Sequence, residues 1–281
     1  MQQHEKQITR RTLMFWAAAF GVVLALGWLM PPQTPPGCQA GQLTKVPDAG
    51  FAVGAAACAA PGTSPAPAEK LVCLTFDDGP SKNTPRVLEI LSREGVPATF
   101  FVIAADNNQK HLPLIADEAA AGHQIALHSA SHDYRTIYHS PEAFWQDIDL
   151  LKQRIAPYVD PSGLGVLRFP GGSTNTISRK YGGRGLMKTL KAQAAEKGLT
   201  WLDWNVCAGD AVGGHPSAAK LLRNVKAEAE GKDVCVVLMH DTALTGTTVE
   251  ALPDIIDYFR TGGYRFCTVD EMLRRQQAGP G

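Results

Sequence analysis

Two histidines four residues apart, His128 and His132, are the strongest candidates for metal ligands in this 281-residue chain. Imidazole nitrogen suits Zn²⁺, and a catalytic zinc site uses three protein ligands and keeps one position open for water. The third ligand is expected to be a carboxylate. Asp77 and Asp78 are adjacent and precede Gly79, so their side chains diverge, and one can bind the metal while the other faces the water. The pattern predicts a hydrolytic metal centre.

Three further residues with useful chemistry follow other apolar segments. Arg168 ends one segment, Asp210 lies beyond a second, and His240 follows a third. A histidine changes its charge near neutral pH and therefore suits general acid–base catalysis. A guanidinium forms strong, directional hydrogen bonds with a carboxylate. These residues form one site only if the fold brings their segments to a common edge.

The elements that must position these residues alternate between short apolar strands and amphipathic helices, in about seven β/α repeats between residues 70 and 275. The predicted strands are 71–76, 98–103, 124–127, 165–169, 200–206, 234–239 and 264–269. Near-continuous apolar strands predict an α/β fold with a parallel sheet covered by helices. At this length we expect a closed barrel rather than an open sheet, with functional residues at the carboxyl ends of the strands.

Five short motifs, in this order, resemble those of the polysaccharide deacetylases, the family 4 carbohydrate esterases. They are Thr75-Phe76-Asp77-Asp78-Gly79, His128-Ser129-Ala130-Ser131-His132, Arg168-Phe169-Pro170, the segment from Trp204 to Ala211, and Leu238-Met239-His240. The resemblance covers residues 70–275. It implies removal of acetyl groups from N-acetylated sugars by a distorted (β/α) barrel with about seven parallel strands.

The resemblance also implies which residues hold the metal and which one activates water. Asp78, His128 and His132 would hold a divalent ion, Zn²⁺ or a similar ion such as Co²⁺. Such an ion acidifies water and polarises the amide carbonyl. Asp77 would be the general base, and Arg168 would orient it and favour its ionised form.

By the same resemblance, His240 would protonate the departing amine. Asp210 would raise the pKa of that histidine and fix its tautomer. A backbone N–H in the turn that contains Gly171 would stabilise the oxyanion. Trp204 and Leu238, together with Gly171, are the candidates for the substrate pocket.

The third and fourth motifs depart from the pattern common in the family. The third motif lacks an aromatic residue after its proline, and in the fourth Cys207 and Ala211 stand where an aspartate and a tryptophan are usual. That tryptophan helps to form the acetyl pocket in the family. The pocket is therefore either wider here or filled by another side chain such as Trp204. Tyr134 and Trp145 are expected to be packing residues rather than sugar platforms.

The 27 basic and 27 acidic residues are unevenly distributed along the chain, and the zero net charge argues against a nucleic-acid-binding protein. Residues 1–11 form a basic tip, and residues 12–30 contain no charge, so this run approaches the ~20 residues of a membrane-spanning helix. The preceding positive residues predict a cytoplasmic N-terminus and an extracellular catalytic domain.

A cleaved signal peptide is the competing interpretation of residues 12–30, and cleavage would make the protein secreted. The apolar run is longer than the usual signal core, and no small-x-small site follows Met30. Weaker alternatives are a twin-arginine signal at Arg10 and Arg11 and lipid attachment at Cys38. Residues 31–69 are rich in Pro, Ala and Gly, which predicts a flexible linker, and residues 276–281 form a short tail.

Six cysteines permit disulfides in an exported protein. Cys38 and Cys58 lie in the linker, and these two cysteines are able to close a loop there. The other four, Cys73, Cys207, Cys235 and Cys267, lie on or beside predicted strands, where buried free thiols are the alternative to disulfides. The absence of a Cys-x-x-Cys pair argues against a cysteine-based zinc site.

The variant motifs look like those of a subgroup of Gram-positive bacteria. Together with the membrane segment, they predict a monomeric enzyme that acts on N-acetylglucosamine of the peptidoglycan in the cell's own wall. The alternatives are deacetylation of chitin oligomers, an exopolysaccharide or O-acetyl xylan, and a catalytically silent wall-binding protein. An anchored metallopeptidase is disfavoured because no His-Glu-x-x-His helix motif occurs.

Overall fold

The strands of the protein all pair in parallel in a computed structural model that describes residues 69–278. They are β1 (Leu71–Asp77), β2 (Thr99–Ile103), β3 (Gln124–Ser129), β4 (Val166–Leu167), β5 (Thr200–Trp201), β6 (Val206–Cys207), β7 (Val234–His240) and β8 (Arg265–Phe266). The strand order is β5-β4-β3-β2-β1-β7-β6, and β8 pairs with the beginning of β1. The predicted parallel α/β architecture is confirmed.

Helices follow most of the strands and cover the sheet. They are α1 (Thr84–Glu94), α2 (Leu114–Ala120), α3 (Tyr134–Ile137), α4 (Pro141–Ile155), α5 (Ile177–Gly182), α6 (Leu186–Glu196), α7 (Ala218–Ala229), α8 (Gly246–Thr261) and α9 (Val269–Ala278). Helix α1 has proline in its first turn and ends at Gly95, whose φ of 65° is in the left-handed region. Both features are common signals for the start and the end of a helix.

Strand β1 is buried on both of its faces. Val72, Leu74 and Phe76 pack in the large cluster between sheet and helices, whereas Leu71 and Cys73 pack in a second cluster on the other face of the sheet. This alternation follows the two-residue period of a strand. Because no face of β1 is exposed, its polar end at Asp77 is held in a fixed position.

The pairing of β1 with β7 has the greatest consequence for function. Seven consecutive residue pairs join the two strands, and the last pair places Asp77 opposite His240. On its other side, Asp77 pairs with Phe101 of β2. The parallel register therefore brings two candidate catalytic residues to the same edge, although they are 163 positions apart in the sequence.

The single strand predicted over 200–206 is wrong, because the chain forms two short strands there. Thr200 and Trp201 pair with β4, whereas Val206 and Cys207 pair with β7. Between them, the carbonyl oxygens of residues 202 and 203 accept hydrogen bonds from the Arg168 guanidinium. These bonds draw the segment out of the ladder. Within residues 69–278, the ladder path ends at β5 and β6, so the strands form a partial barrel rather than the expected closed one.

The predicted basic tip, membrane span, Cys38 and Cys58 lie outside the described residues, as does nearly all of the linker. Between residues 69 and 278, no helix has the length and apolar character needed to cross a bilayer. Cys73, Cys235 and Cys267 are buried free thiols, which is one of the two alternatives that the sequence allows. Cys207 is also buried, but it is not one of these free thiols.

Candidate active site

Asp78, His128 and His132 converge at the carboxyl ends of β1 and β3. The Oδ1 atom of Asp78 lies 3.3 Å from Nε2 of His128 and 3.2 Å from Nε2 of His132. One ligand atom from each residue lies within 4.8 Å of the others. Asp78 Oδ1 is buried and has no hydrogen-bond partner within the described chain. A cation would satisfy this oxygen, so the three residues fit the metal site that the sequence predicts.

Two of the three candidate ligands have an unusual backbone conformation. The φ angles of Asp78 and His132 are 66° and 53°, in the left-handed region that residues with a Cβ rarely adopt. Such conformations cost about 1–3 kcal/mol each and persist only where the surroundings hold them. The Asn108 side chain helps to hold the backbone at Asp78, since its Nδ2 donates to the carbonyl oxygens of Asp78 and Pro80 at 3.2 and 2.7 Å.

His128 is oriented by the residue that directly follows the neighbouring strand β4. Its Nδ1 donates to the carbonyl oxygen of Arg168 at 2.7 Å. This bond places the second ring nitrogen, Nε2, toward Asp78 and selects the tautomer in which Nε2 can be a ligand. Burial lowers the pKa of the neighbouring His132, which favours the neutral imidazole that binds metal.

Asp77 is adjacent to the candidate ligands and forms an ion pair with Arg168. Nη1 of Arg168 lies 2.7 Å from Oδ1 of Asp77 and donates as well to Oγ1 of Thr75. The arginine is fully buried, and its guanidinium lies 4.0 Å from the centre of the Phe101 ring. Because the guanidinium holds Oδ1, the second oxygen of Asp77 remains available, 3.9 Å from Nε2 of His128.

His240 and Asp210 form the other half of the site. The Asp210 carboxylate accepts from His240 twice, from Nδ1 at 2.9 Å and from the backbone N–H at 2.6 Å. The hydroxyl of Thr248, on α8, donates to the same carboxylate at 2.7 Å. Burial alone would lower the pKa of His240, but attraction to Asp210 and their hydrogen bond outweigh it and raise that pKa to about 9. The His240 imidazole is therefore protonated on both nitrogens at neutral pH.

The turn after β4 carries the predicted oxyanion donor. Gly171 and Gly172 have φ angles of 75° and 82°, a conformation that glycine adopts without steric cost. The N–H of Gly172 donates to the carbonyl oxygen of Phe169 at 2.7 Å. Of the two glycine amides, the N–H of Gly171 is therefore the candidate for the oxyanion.

Trp204 and Leu238 are the two other predicted pocket residues. Both are buried in the second cluster, the one that contains Leu71 and Cys73. A Cβ atom at Gly172 would lie 2.9 Å from Cη2 of Trp204. The indole therefore packs directly under the glycine turn, and its ring centre lies 5.7 Å from the Arg168 guanidinium. Trp204 thus occupies space beside the site.

Tyr134 lies closer to the site than its predicted packing role requires. Its ring contacts that of His132, with 5.1 Å between the ring centres, and its hydroxyl would lie 3.3 Å from a Cβ at Gly171. Trp145 is a packing residue as predicted, since it is 9% exposed and its Nε1 donates to Gln193.

Several residues that hold the site were not recognised in the sequence. Each one supports a catalytic or ligand side chain, or the loop that bears it, through a hydrogen bond that is long-range in sequence; they are Thr75, Asn108, Asp147, Asp203 and Thr248. Asp147 binds the loop between the two histidines, and Asp203 accepts from both the N–H and the hydroxyl of Ser173. No motif or spacing marks Asn108, Asp147 or Thr248, because their partners come from other elements.

A parallel α/β fold with a carboxylate, a protonated histidine and a ligand triad at the strand ends defines a hydrolase. Residues 64–184 match the family model of polysaccharide deacetylases. The catalytic domain of a peptidoglycan N-acetylglucosamine deacetylase from Eubacterium rectale superposes with a TM-score of 0.67 at 37% identity, covering 74% of this chain and 92% of that one. The chain belongs to the polysaccharide deacetylase family.

Two curated relatives are both named as peptidoglycan-N-acetylglucosamine deacetylases. A peptidoglycan-N-acetylglucosamine deacetylase of Listeria monocytogenes is 34% identical over 213 residues, which are 75% of this chain and 41% of that protein. A protein of the same name from Bacillus cereus is 32% identical over 208 residues, 73% of this chain and 89% of the relative. The matched part of this chain thus spans about two fifths of the Listeria protein and most of the Bacillus protein.

Proposed function

We propose that this protein is a metal-dependent deacetylase that hydrolyses the N-acetyl groups of N-acetylglucosamine in peptidoglycan, releasing acetate and leaving a free amine. The observation that carries the proposal is the placement of a base, Asp77, and an acid, His240, opposite each other at the ends of paired strands beside the Asp78-His128-His132 cluster. The choice of polymer is supported by the similar proteins from Eubacterium, Listeria and Bacillus.

Asp78, His128 and His132 would hold the divalent cation, for which we propose Zn²⁺, with Co²⁺ as the alternative. Two imidazoles and one carboxylate are a donor set that suits zinc and leaves a position open. When bound, the cation would polarise the acetyl carbonyl and lower the pKa of water.

Asp77 accepts the proton of the attacking water in this mechanism. Its Oδ1 is held by Arg168, and its other oxygen lies near the ligand cluster. The fixed guanidinium prevents the carboxylate from rotating away. A general base of this kind contributes about 10²- to 10⁴-fold to a rate.

His240 gives its proton to the leaving nitrogen. An amine leaves far more readily than an amide anion, so a group that is protonated at neutral pH is needed, and the raised pKa of His240 meets this need. Asp210 holds the proton-bearing ring in one orientation through Nδ1, which leaves Nε2 to serve the substrate. The N–H of Gly171 would stabilise the oxyanion.

We also propose that residues 12–30 anchor the protein in the cell membrane, with residues 70–275 outside the cell and acting as a monomer. The uncharged run and the positive residues before it support this topology. Mass spectrometry of the mature N-terminus in membrane and medium fractions tests it. An intact N-terminus in the membrane is expected, whereas cleavage after the apolar run would make the protein secreted.

Acetate release from purified peptidoglycan by Zn²⁺-loaded protein tests the activity. We expect release that a chelator abolishes and that Asp77→Asn lowers at least about 100-fold. Asp149→Asn is the matched control, because Asp149 is exposed on α4. A parallel assay with chitin oligomers and acetylated xylan compares amide with ester substrates. Faster release from the ester would redirect the substrate assignment, and no release from any of these polymers would refute the proposed function.

A further inference from the structure

Asp147 is a buried carboxylate on α4 that binds the loop between the two histidine ligands. Its Oδ2 accepts from the hydroxyl of Ser129 at 2.6 Å and from the N–H of Ala130 at 2.8 Å, and its Oδ1 accepts from the N–H of Ser131 at 3.0 Å. The side chain is nearly enclosed, with Asp147 7% exposed. All three donors lie between His128 and His132.

The hydrogen bonds continue from Asp147 to the second ligand. Ser129 Oγ donates to Asp147 and accepts from the backbone N–H of His132 at 2.8 Å. His132 is the ligand whose backbone has a φ of 53°, so the loop needs contacts that hold it in this conformation. The chain of bonds from α4 supplies these contacts.

Only a carboxylate can satisfy this arrangement in full. Three donors face the Asp147 side chain, and an ionised carboxylate accepts at both oxygens and donates at neither. An asparagine would place an NH₂ group against at least one of the donors. Helix α4 does not depend on Asp147 for its own packing, because Phe144, Ile148 and Leu151 on the same helix are buried in the core.

We propose that Asp147 is a positioning residue that holds the His128–His132 loop in its ligand geometry and thereby sets the affinity of the site for a divalent cation. The inference rests on the proposed function, since that function requires the cation. It adds a requirement that lies outside the ligand triad and the acid–base residues. Partners of this kind typically contribute about 10- to 100-fold to metal affinity.

The test is the Zn²⁺ dissociation constant of the full-length protein, measured by competition with a chromophoric chelator and without substrate. For Asp147→Asn we expect a dissociation constant about 10- to 100-fold higher than that of the unmodified protein. Asp149→Asn, two positions along the same helix and exposed, is expected to leave it unchanged. Ser129→Ala removes two hydrogen bonds, those of its hydroxyl with Asp147 and with the His132 N–H, but keeps the two backbone bonds to Asp147. It is expected to give a smaller increase and serves as the second variant if Asp147→Asn does not fold.

The thermal midpoint of the metal-free proteins separates positioning from a purely structural role. A lower midpoint with an unchanged Zn²⁺ dissociation constant for Asp147→Asn would overturn the inference. At saturating Zn²⁺, acetate release by Asp147→Asn should recover toward that of the unmodified protein, whereas Asp77→Asn should not recover. If the unmodified protein bound Zn²⁺ but released no acetate, the proposed function would fail while the role of Asp147 stood; if it bound no Zn²⁺, both would fail.

Discussion

The proton on His240 depends on Asp210 more than on any other group near it. Burial acts to lower the pKa of the imidazole, whereas the charge of Asp210 and its hydrogen bond raise that pKa to about 9. Asp78 and Asp77 act in the same direction as Asp210 but more weakly. The proposed acid function therefore requires the His240–Asp210 pair rather than the histidine alone.

Replacing Asp210 by Asn is expected to move the alkaline limb of the pH–rate profile to lower pH. A protonated His240 is the active form, so activity is lost as the pH rises through its pKa. Without the carboxylate charge, less opposes the lowering of the His240 pKa by burial, so this pKa falls. The profile of acetate release between pH 5 and 10 measures this shift.

Thr248→Val is the control for the pH profile. It removes one hydrogen bond to Asp210 but keeps the charge, so its alkaline limb should move less than that of Asp210→Asn. An alkaline limb that stays in place in Asp210→Asn would show that another group sets it, and His240 would lose its assignment as the acid.

At the scale of elements, the turn between β4 and α5 connects Arg168 to the predicted oxyanion donor. Its glycines have positive φ angles, and Trp204 packs against Gly172. The Ser173 N–H and hydroxyl both donate to Asp203, at 2.8 and 2.6 Å, and the carbonyl oxygen of Asp203 accepts from Arg168. The turn and the general base are therefore mechanically linked through one buried network.

Gly172→Ala is expected to destabilise the protein more than Gly122→Ala. Both glycines have a φ of 82°, so both variants incur a left-handed backbone cost of about 1–2 kcal/mol. At Gly172 the new Cβ would also meet Trp204 at 2.9 Å, whereas nothing lies within 4 Å at Gly122. Urea unfolding measures the two free energies.

The same pair of variants should also differ in activity. Gly172→Ala is expected to lower the kcat for acetate release, since the displaced turn carries the Gly171 N–H and contacts the Arg168 network. Gly122→Ala is remote from these groups and should retain the kcat. Equal losses of stability in both variants would mean that Trp204 moves aside freely, and the proposed rigidity of the turn would then be wrong.

At the scale of the whole molecule, the candidate ligands join two distant parts of the chain. Asp78 follows β1, and the histidines lie at the end of β3 and in the loop beyond it. The three residues come together only in the folded protein, so a cation that they bind stabilises the folded state over the unfolded one.

Zn²⁺ at 100 times its dissociation constant is expected to stabilise the fold by about 2.7 kcal/mol. For a domain of this size, the gain corresponds to a rise in Tm of about 5–10 °C. Differential scanning calorimetry with and without a chelator measures it. His132→Ala should lose most of the rise, because a ligand is removed; an equal rise in that variant would place the cation elsewhere.

The candidate catalytic residues and metal ligands were largely predictable from the sequence. Asp77, Asp78, His128 and His132 occur in short motifs, and their positions after apolar strands predict a common edge of a parallel sheet. The structure brings these four together with Arg168, Asp210 and His240. Apolar periodicity is a local property of the chain, so it reports strands and helices without knowledge of their partners.

Only the tertiary structure decided how the site is held in place. Asp147, Thr248 and Asn108 look like ordinary polar residues in the sequence, because each acts on a segment that packs beside it only after folding. The division of 200–206 into two strands has the same origin, since the buried Arg168 competes with the ladder for the backbone carbonyl oxygens there. The sequence by itself determined the candidate catalytic groups and ligands, whereas long-range hydrogen bonding, which no local pattern encodes, decided what positions them.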